Sequence, residues 1–185
     1  MKKIPDKEII DSVLKGHEND FALLVERYKD KAYTLLMGIV RNQMDAEEIL
    51  QDSFIKAYKS LPKFRGESKF STWFYKIVYN SALTFVNSKR KRNERATTSI
   101  DDLDYLITSN QTGDENGNNI LYKLLNKLPV KYSLVLILFY QDNMSLKEIG
   151  ELFDTSISNV KVTLHRARKM LREIALKEDL VEELL

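Results

Sequence analysis

The chain has 185 residues, 43% of them hydrophobic, and a formal net charge of +2. This length and composition allow one medium domain or two small ones with substantial hydrophobic cores. The chain has no cysteine, and its two histidines, His17 and His165, lie far apart in sequence. Disulfides and thiolate metal sites are therefore excluded, and we expect neither a metal nor another cofactor.

Membrane insertion is not expected. No apolar run approaches the length that spans a bilayer, and the first residues, MKKIPDKEIIDSV, lack the hydrophobic stretch of a secretion signal. We therefore predict a cytoplasmic protein.

The first half of the chain has the apolar periodicity of helices. It predicts a short helix over residues 6–14 and a long one starting near Phe21. A third helix begins near Asp45, whose side chain can cap it, and a fourth runs from about Ser71 to Arg92. No strand pattern occurs anywhere in the sequence, so we predict an all-α protein.

The third predicted helix has an unusual outer face. Its inward residues are Ala46, Leu50, Phe54, Ala57 and Leu61, whereas Glu48, Gln51, Asp52, Ile55 and Lys59 face outward. An isoleucine exposed among acidic side chains suits a protein partner with a basic, partly apolar surface. An ordinary solvated helix face is the alternative.

The fourth predicted helix carries aromatic residues on more than one face. Its polar side is a narrow stripe of amides, hydroxyls and cations, which we expect Tyr75 and Tyr79 to border. That composition suits gripping phosphates while holding unpaired bases. Trp73 and Phe74, by contrast, are expected in the core.

A loop at 62–69 precedes this helix and combines cations, a glycine and an aromatic residue. It could close over an extruded base or be a solvated connector, and spacing leaves both open. The candidate nucleic-acid contacts on the loop and helix are Lys63, Phe64, Arg65, Lys69, Lys76, Tyr79, Asn80, Thr84, Lys89 and Arg90.

Charge is unevenly distributed after that helix. Residues 89–95, KRKRNER, carry five basic groups and one acid, whereas residues 96–119 carry five acids and no Lys or Arg. The acidic stretch is rich in Ser, Thr, Asn and Gly, which indicates a linker. We predict two small helical domains, residues 1–95 and 119–185, joined by an acidic linker at 96–118, in which a few apolar residues could still dock on either domain.

The second domain is predicted to contain helices at 119–128 and 130–140, separated by Pro129, and then a helix-turn-helix at 145–171. In its second helix an inward stripe comprises Ile157, Val160, Leu164, Ala167 and Leu171. The outward face is positive and rich in hydrogen-bonding groups, as a helix in a DNA groove requires. A solvated basic helix is the alternative. The predicted duplex contacts are Ser158, Asn159, Lys161, Val162, His165, Arg166 and Lys169.

Taken in order, these segments resemble one family, the extracytoplasmic-function (ECF) sigma factors of bacterial RNA polymerase. DAEEILQDSFIKAY and FRGESKFSTWFYKIVYN are similar to the polymerase-binding helix and strand-opening segment of sigma region 2. LNKLPVKYSLVLILFY and SLKEIGELFDTSISNVKVTLHRARKML are similar to region 4. Gly150 stands where relatives usually carry alanine, Thr84 where they often carry aspartate, and Asn87 where a basic residue is common.

The resemblance implies a non-enzymatic promoter-specificity subunit. Glu48, Gln51 and Asp52 would bind core RNA polymerase, the candidate contacts of the fourth helix and its loop would hold the melted −10 strand, and the helix-turn-helix would read the −35 element. It also implies sequestration by an anti-sigma factor.

Two other functions are the alternatives to a sigma factor. A stand-alone helix-turn-helix regulator would bind specific DNA tightly without polymerase. An enzyme acting on nucleic acid lacks support, because the sequence shows no clustered carboxylates, histidine pair or glycine-rich phosphate loop.

Overall fold

The computed structural model describes residues 4–93 and 120–177. Over these residues the chain is helical and contains no strand, which confirms the all-α prediction. The first part comprises α1 (Asp6–Leu14), α2 (Phe21–Val40), α3 (Gln43–Ser60) and α4 (Phe70–Asn93). The second comprises α5 (Ile120–Asn126), α6 (Val130–Leu136), α7 (Leu146–Leu152) and α8 (Ile157–Lys177). A π-helical turn, Ile137–Gln141, prolongs α6. None of the described helices is both long and apolar enough to cross a membrane.

Helices α2, α3 and α4 pack around an aromatic core. Phe74 is fully buried, stacked on Phe54 with ring centroids 4.6 Å apart, as predicted. Trp73 is half-buried against Phe64 at the loop preceding α4. This aromatic packing fixes the inner face of α4 and thereby determines which of its side chains reach solvent.

The start of α3 differs from the prediction. The helix begins at Gln43, and its cap is Asn42, whose side chain accepts a hydrogen bond from the Asp45 backbone N–H at 3.0 Å. The Asp45 carboxylate instead accepts from Lys89 Nζ of α4 at 2.8 Å. Asp45 therefore ties two helices together rather than capping one.

The helix-turn-helix formed by α7 and α8 matches the predicted pattern. Ser145 and Glu148 form a capping box at the start of α7. Val160, Leu164 and Ala167 are buried and Leu171 is half-buried, but Ile157 is 45% exposed, so its predicted inward position is wrong. Ile157 is the first residue of α8, and its side chain does not reach the core.

Gly150 allows α7 to approach the turn closely. A Cβ atom built on Gly150 would lie 2.8 Å from the Thr155 backbone oxygen, closer than real Cβ atoms come. The Thr155 N–H donates to the Gly150 carbonyl at 2.9 Å across the same contact. The absence of a side chain at position 150 therefore has a direct steric reason.

The two helical units share a continuous hydrophobic core. A Cβ on Gly38 of α2 would lie 3.1 Å from Ile137 Cδ1 and 3.4 Å from Leu134 Cδ2. Arg41, at the end of α2, donates to the Leu128 carbonyl at 2.7 Å. The predicted linker at 96–118, with the domain boundaries beside it, lies outside the described residues.

Candidate nucleic-acid interface

Helix α8 presents all its predicted contact residues to solvent, namely Ser158, Asn159, Lys161, Val162, His165, Arg166 and Lys169. Its first turn is ordered by the preceding loop. Ser156 Oγ accepts from the Asn159 N–H at 3.2 Å, and the Asn159 side chain donates to Thr155 Oγ1 at 3.2 Å. Ser156 therefore caps the start of α8, and Thr155 orients one of the predicted contact side chains.

A groove runs beside the exposed face of α8. Asn159, Val162 and Arg166 line it together with Thr163 and with Lys131 from α6. Sequence reasoning missed Lys131 and Thr163. Thr163 lies off the predicted outward stripe, and Lys131 is brought to the groove only by the packing of α6 on α8.

Arg168 belongs to a different surface from the other cations of α8. Its guanidinium lies 5.5 Å from the Phe139 ring centroid and 5.3 Å from that of Tyr140. These are cation–π contacts with the end of the α6 extension. Arg168 therefore packs within the second unit, and the groove-facing charge comes from other residues.

We call the candidate contacts of α4 and its loop the α4 surface. Lys63, Arg65, Lys69, Lys76, Asn80 and Thr84 are exposed there. Phe64 is half-buried, with its ring 6.0 Å from Phe70 and 5.0 Å from Trp73. Lys89 is committed to its ion pair with Asp45, and the Arg90 side chain lies outside the described residues.

The tyrosines expected to border the polar stripe are buried. Tyr75 is 1% exposed, so its predicted position at the stripe is wrong; burial and the neighbouring Asp142 carboxylate raise the pKa of its hydroxyl. Tyr79, a predicted strand contact, is 5% exposed and packs edge-on against Phe153 of the helix-turn-helix. In this arrangement Tyr79 is covered by the second unit.

The loop before α4 also meets the helix-turn-helix. Lys69 Nζ lies 3.0 Å from Glu148 Oε1. Burial alone would raise the pKa of the Glu148 carboxyl, but hydrogen bonds from Ser145 and the Lys69 ammonium outweigh it and hold the pKa below its usual range. The contact therefore favours the ionised carboxylate.

The outer face of α3 is as predicted. Glu48, Gln51 and Asp52 are exposed and Ile55 is 44% exposed, while Ala46, Phe54, Ala57 and Leu61 are buried and Leu50 is half-buried. An acidic surface with an apolar centre is thus available on the side of α3 that faces away from the core. No group of three or more side chains suited to hold a metal occurs among the described residues.

The fold and these faces define an all-helical DNA-binding protein with a helix-turn-helix in one unit and an aromatic, basic helix in the other. Comparison with known proteins specifies the class. Residues 24–92 match the family Sigma-70 region 2, and residues 118–171 match Sigma-70, region 4.

Full-length relatives agree with these matches. The chain is 34% identical to the ECF RNA polymerase sigma factor SigW of Bacillus subtilis, covering 90% of this chain and 95% of SigW. It is 29% identical to the ECF RNA polymerase sigma-E factor of Haemophilus influenzae, covering 92% and 95% of the two chains. The chain belongs to the ECF RNA polymerase sigma factors and is a promoter-specificity subunit.

Two solved structures share the fold. One is the sigma factor RpoE of Bartonella quintana in complex with the anti-sigma factor NepR, with a TM-score of 0.62, 20% identity and coverage of 84% of this chain and 96% of that one. The other is CnrH in complex with the cytosolic domain of CnrY, with a TM-score of 0.65, 22% identity and coverage of 94% and 98%.

Proposed function

We propose that this sigma factor acts through three separate binding surfaces and has no active site of its own. The α3 face, with Glu48, Gln51, Asp52 and Ile55, binds core RNA polymerase. The α4 surface holds the melted −10 strand, and the outer face of α8 reads the −35 element. The observation that supports this assignment is the occurrence of all three surfaces in one chain, in the order in which the region 2 and region 4 matches occur.

The exposed face of α8 supports duplex recognition. Arg166 and Asn159 carry the donors and acceptors that read base edges in a major groove, and Lys161 and Lys169 suit phosphate contacts. Phosphate contacts supply most of the affinity, whereas the groups facing the groove supply specificity.

The α4 surface supports strand opening. Melting costs a few kcal/mol per unstacked step, which binding of the released bases offsets. Asn80 and Thr84 are exposed one turn apart on α4, and cations of the loop lie at the start of the same helix. The surface thus offers hydrogen-bonding groups for bases and positive charge for the backbone.

CnrH was solved in complex with the cytosolic domain of CnrY, and the sigma factor RpoE was solved in complex with the anti-sigma factor NepR. We infer a partner of the same class for this chain, and a cytoplasmic site of action, where it would meet core polymerase.

The test is transcription in vitro with core RNA polymerase over a library of promoter fragments. Specific start sites should appear only when this protein is added. Tight sequence-specific binding by the purified protein without polymerase, and no new start sites, would instead establish the stand-alone regulator.

The α3 assignment is tested separately by co-purification with core polymerase. Asp52→Lys reverses a charge on the proposed docking face and should reduce binding at least tenfold. Asp11→Lys, an equal change on the exposed side of α1, is the matched control and should bind as the unaltered protein does. Equal binding by both variants would remove α3 from the polymerase interface.

A further inference from the structure

The start of α3 at Gln43 adds a residue to the outer face of this helix. Because the helix begins before the position predicted from the sequence, Met44 lies within its first turn. Eleven residues span about three turns of an α-helix, so Met44 lies on the same side of α3 as Ile55, about 16 Å away along the helix axis. Glu48 and Gln51 lie between them on this exposed side.

Met44 is an apolar side chain that the core does not use. It is 80% exposed, more than any other large apolar residue in the described part of the chain, and Ile55 is 44% exposed. Scattered single residues of this kind are ordinary on a protein surface. Here two of them share one helix face with the acidic Glu48 and Asp52. That face suits a partner surface that is basic and has apolar recesses.

The first turn of α3 is held in place on both sides of Met44. Asn42 caps the turn by accepting a hydrogen bond from the Asp45 N–H at 3.0 Å. The Asp45 carboxylate accepts from Lys89 Nζ of α4 at 2.8 Å. Met44 therefore extends from an ordered backbone, which reduces the conformational entropy lost when a partner binds.

The thioether of Met44 is also accessible to oxidants. A hydroperoxide such as hydrogen peroxide transfers one oxygen atom to the sulfur: the O–O bond breaks, a sulfur–oxygen bond forms, and water leaves. The sulfur loses two electrons and the peroxide gains them. The product, methionine sulfoxide, is polar where the thioether was apolar. Among the other methionines of the described residues, Met37 and Met170 are half-buried and Met144 is 4% exposed, so Met44 is the most accessible target.

We propose that Met44 is an apolar contact of the polymerase-binding face and an oxidation site at which a hydroperoxide weakens the binding of core RNA polymerase. Burial of a sulfoxide oxygen without a hydrogen-bond partner is unfavourable, and an affinity loss of about tenfold is expected. Methionine sulfoxide reductases reverse the modification, so the effect on binding is reversible. This inference rests on the proposed function of the α3 face.

The test treats the free protein with hydrogen peroxide, removes the peroxide with catalase and measures the Kd for core polymerase. The protein carrying the Met44 sulfoxide, verified by mass spectrometry, should bind about tenfold more weakly and recover after treatment with methionine sulfoxide reductases. Met44→Leu keeps an apolar side chain of similar volume that peroxide does not oxidise, so its Kd should be the same before and after treatment.

Three results of this experiment would overturn the proposal. The first is unchanged binding by the protein that carries the Met44 sulfoxide. The second is an equal loss of affinity in peroxide-treated Met44→Leu. The third is resistance of Met44 to a peroxide dose that oxidises an unstructured methionine peptide.

Met44→Gln tests the contact without any oxidant, because it places a polar amide at this position. It should bind core polymerase about tenfold more weakly. Leu14→Gln, a comparable change at an exposed apolar residue at the end of α1, is the matched control and should bind as the unaltered protein does. Normal binding by Met44→Gln together with weakened binding by Asp52→Lys would overturn this proposal and leave the α3 face in place. Normal binding by Asp52→Lys would instead remove the face itself.

Discussion

The ring of Tyr79 meets the ring of Phe153 edge-on, with an interplanar angle of 72° and centroids 5.1 Å apart. This pair joins α4 to the turn of the helix-turn-helix, residues that are 74 positions apart in sequence. Aromatic pairs of this geometry contribute about 0.5–1.5 kcal/mol beyond their area burial. A double-mutant cycle with Tyr79→Ala and Phe153→Ala, measured by urea unfolding, should give a coupling energy in that range.

The matched control is a cycle between Phe153→Ala and Phe85→Ala. Phe85 is on the same helix but lies beneath Lys89, whose ammonium is 5.8 Å from its ring centroid. These two substitutions should be additive. A coupling energy near zero between Tyr79→Ala and Phe153→Ala would mean that the two rings do not meet in the free protein.

Asn80→Ala should impair promoter opening while leaving duplex binding intact. The Asn80 side chain is exposed on the α4 surface, and its amide can pair with an unstacked base but has no contact with a closed duplex in the proposed arrangement. Permanganate reactivity of thymines near the start site should fall about tenfold. Asn19→Ala, which removes an exposed amide between α1 and α2, should open the promoter normally, and unchanged footprints with Asn80→Ala would remove its assigned role.

Arg166→Ala should weaken activity selectively at the −35 element. Arg166 is exposed and lines the groove beside α8, and loss of a base-reading arginine costs about 1–3 kcal/mol with relaxed specificity at its position. Arg172→Ala removes an equal charge from an exposed position further along α8 and should have a small effect independent of sequence. Equal losses on matched and mutated −35 elements would reassign Arg166 to phosphate contact.

Much of the architecture could be predicted because it depends on local signals. Apolar periodicity predicted the start of α2 and both ends of α4 to within a few residues, whereas α8 runs to Lys177, beyond the predicted end of the helix-turn-helix at 171. The start of α3 was misplaced by two residues because Asn42 and Asp45 are both competent caps. Only the folded backbone shows which of the two accepts the hydrogen bond.

Contacts between the two units were not predictable from local patterns. Tyr75 and Tyr79 lie one helical turn apart on an aromatic-rich helix. Apolar periodicity cannot distinguish a tyrosine at the edge of the polar stripe from one that a helix distant in sequence covers. Asp142 resembled an ordinary loop acid, although the structure buries it beside Tyr75 and Lys31. These positions depend on packing between segments more than sixty residues apart.

Gly150→Ala should destabilise the helix-turn-helix even though alanine is the better helix former by about 1 kcal/mol. Its Cβ would lie 2.8 Å from the Thr155 backbone oxygen, which must shift and strain the turn. We expect a net loss of about 1–2 kcal/mol, in the range of overpacked cores, measurable by urea unfolding. Ala175→Gly, at a buried position late in α8, exchanges the same two residues away from the turn and reports helix propensity together with the loss of a buried methyl group. A more stable Gly150→Ala protein would show that the turn accommodates the methyl group.

Glu148 and Asp142 should impose opposite pH dependences on the stability of the protein. The folded-state pKa of Glu148 is lowered, so its contribution is complete above its unfolded pKa of about 4.3 and is lost as the pH falls through the folded value. The folded-state pKa of Asp142 is raised by burial, so its contribution is complete below its unfolded pKa of about 3.9 and is lost as the pH rises through the folded value.

Urea unfolding across this pH range checks the two signs with isosteric variants. Glu148→Gln keeps the residue type that a capping box accepts but cannot ionise, so the stability advantage of the unaltered protein over it should shrink on acidification. Asp142→Asn removes a buried charge. The free energy of unfolding of the unaltered protein should therefore fall relative to that of this variant as the pH rises above about 4. Parallel pH profiles for all three proteins would show that neither carboxylate senses the contact between the units.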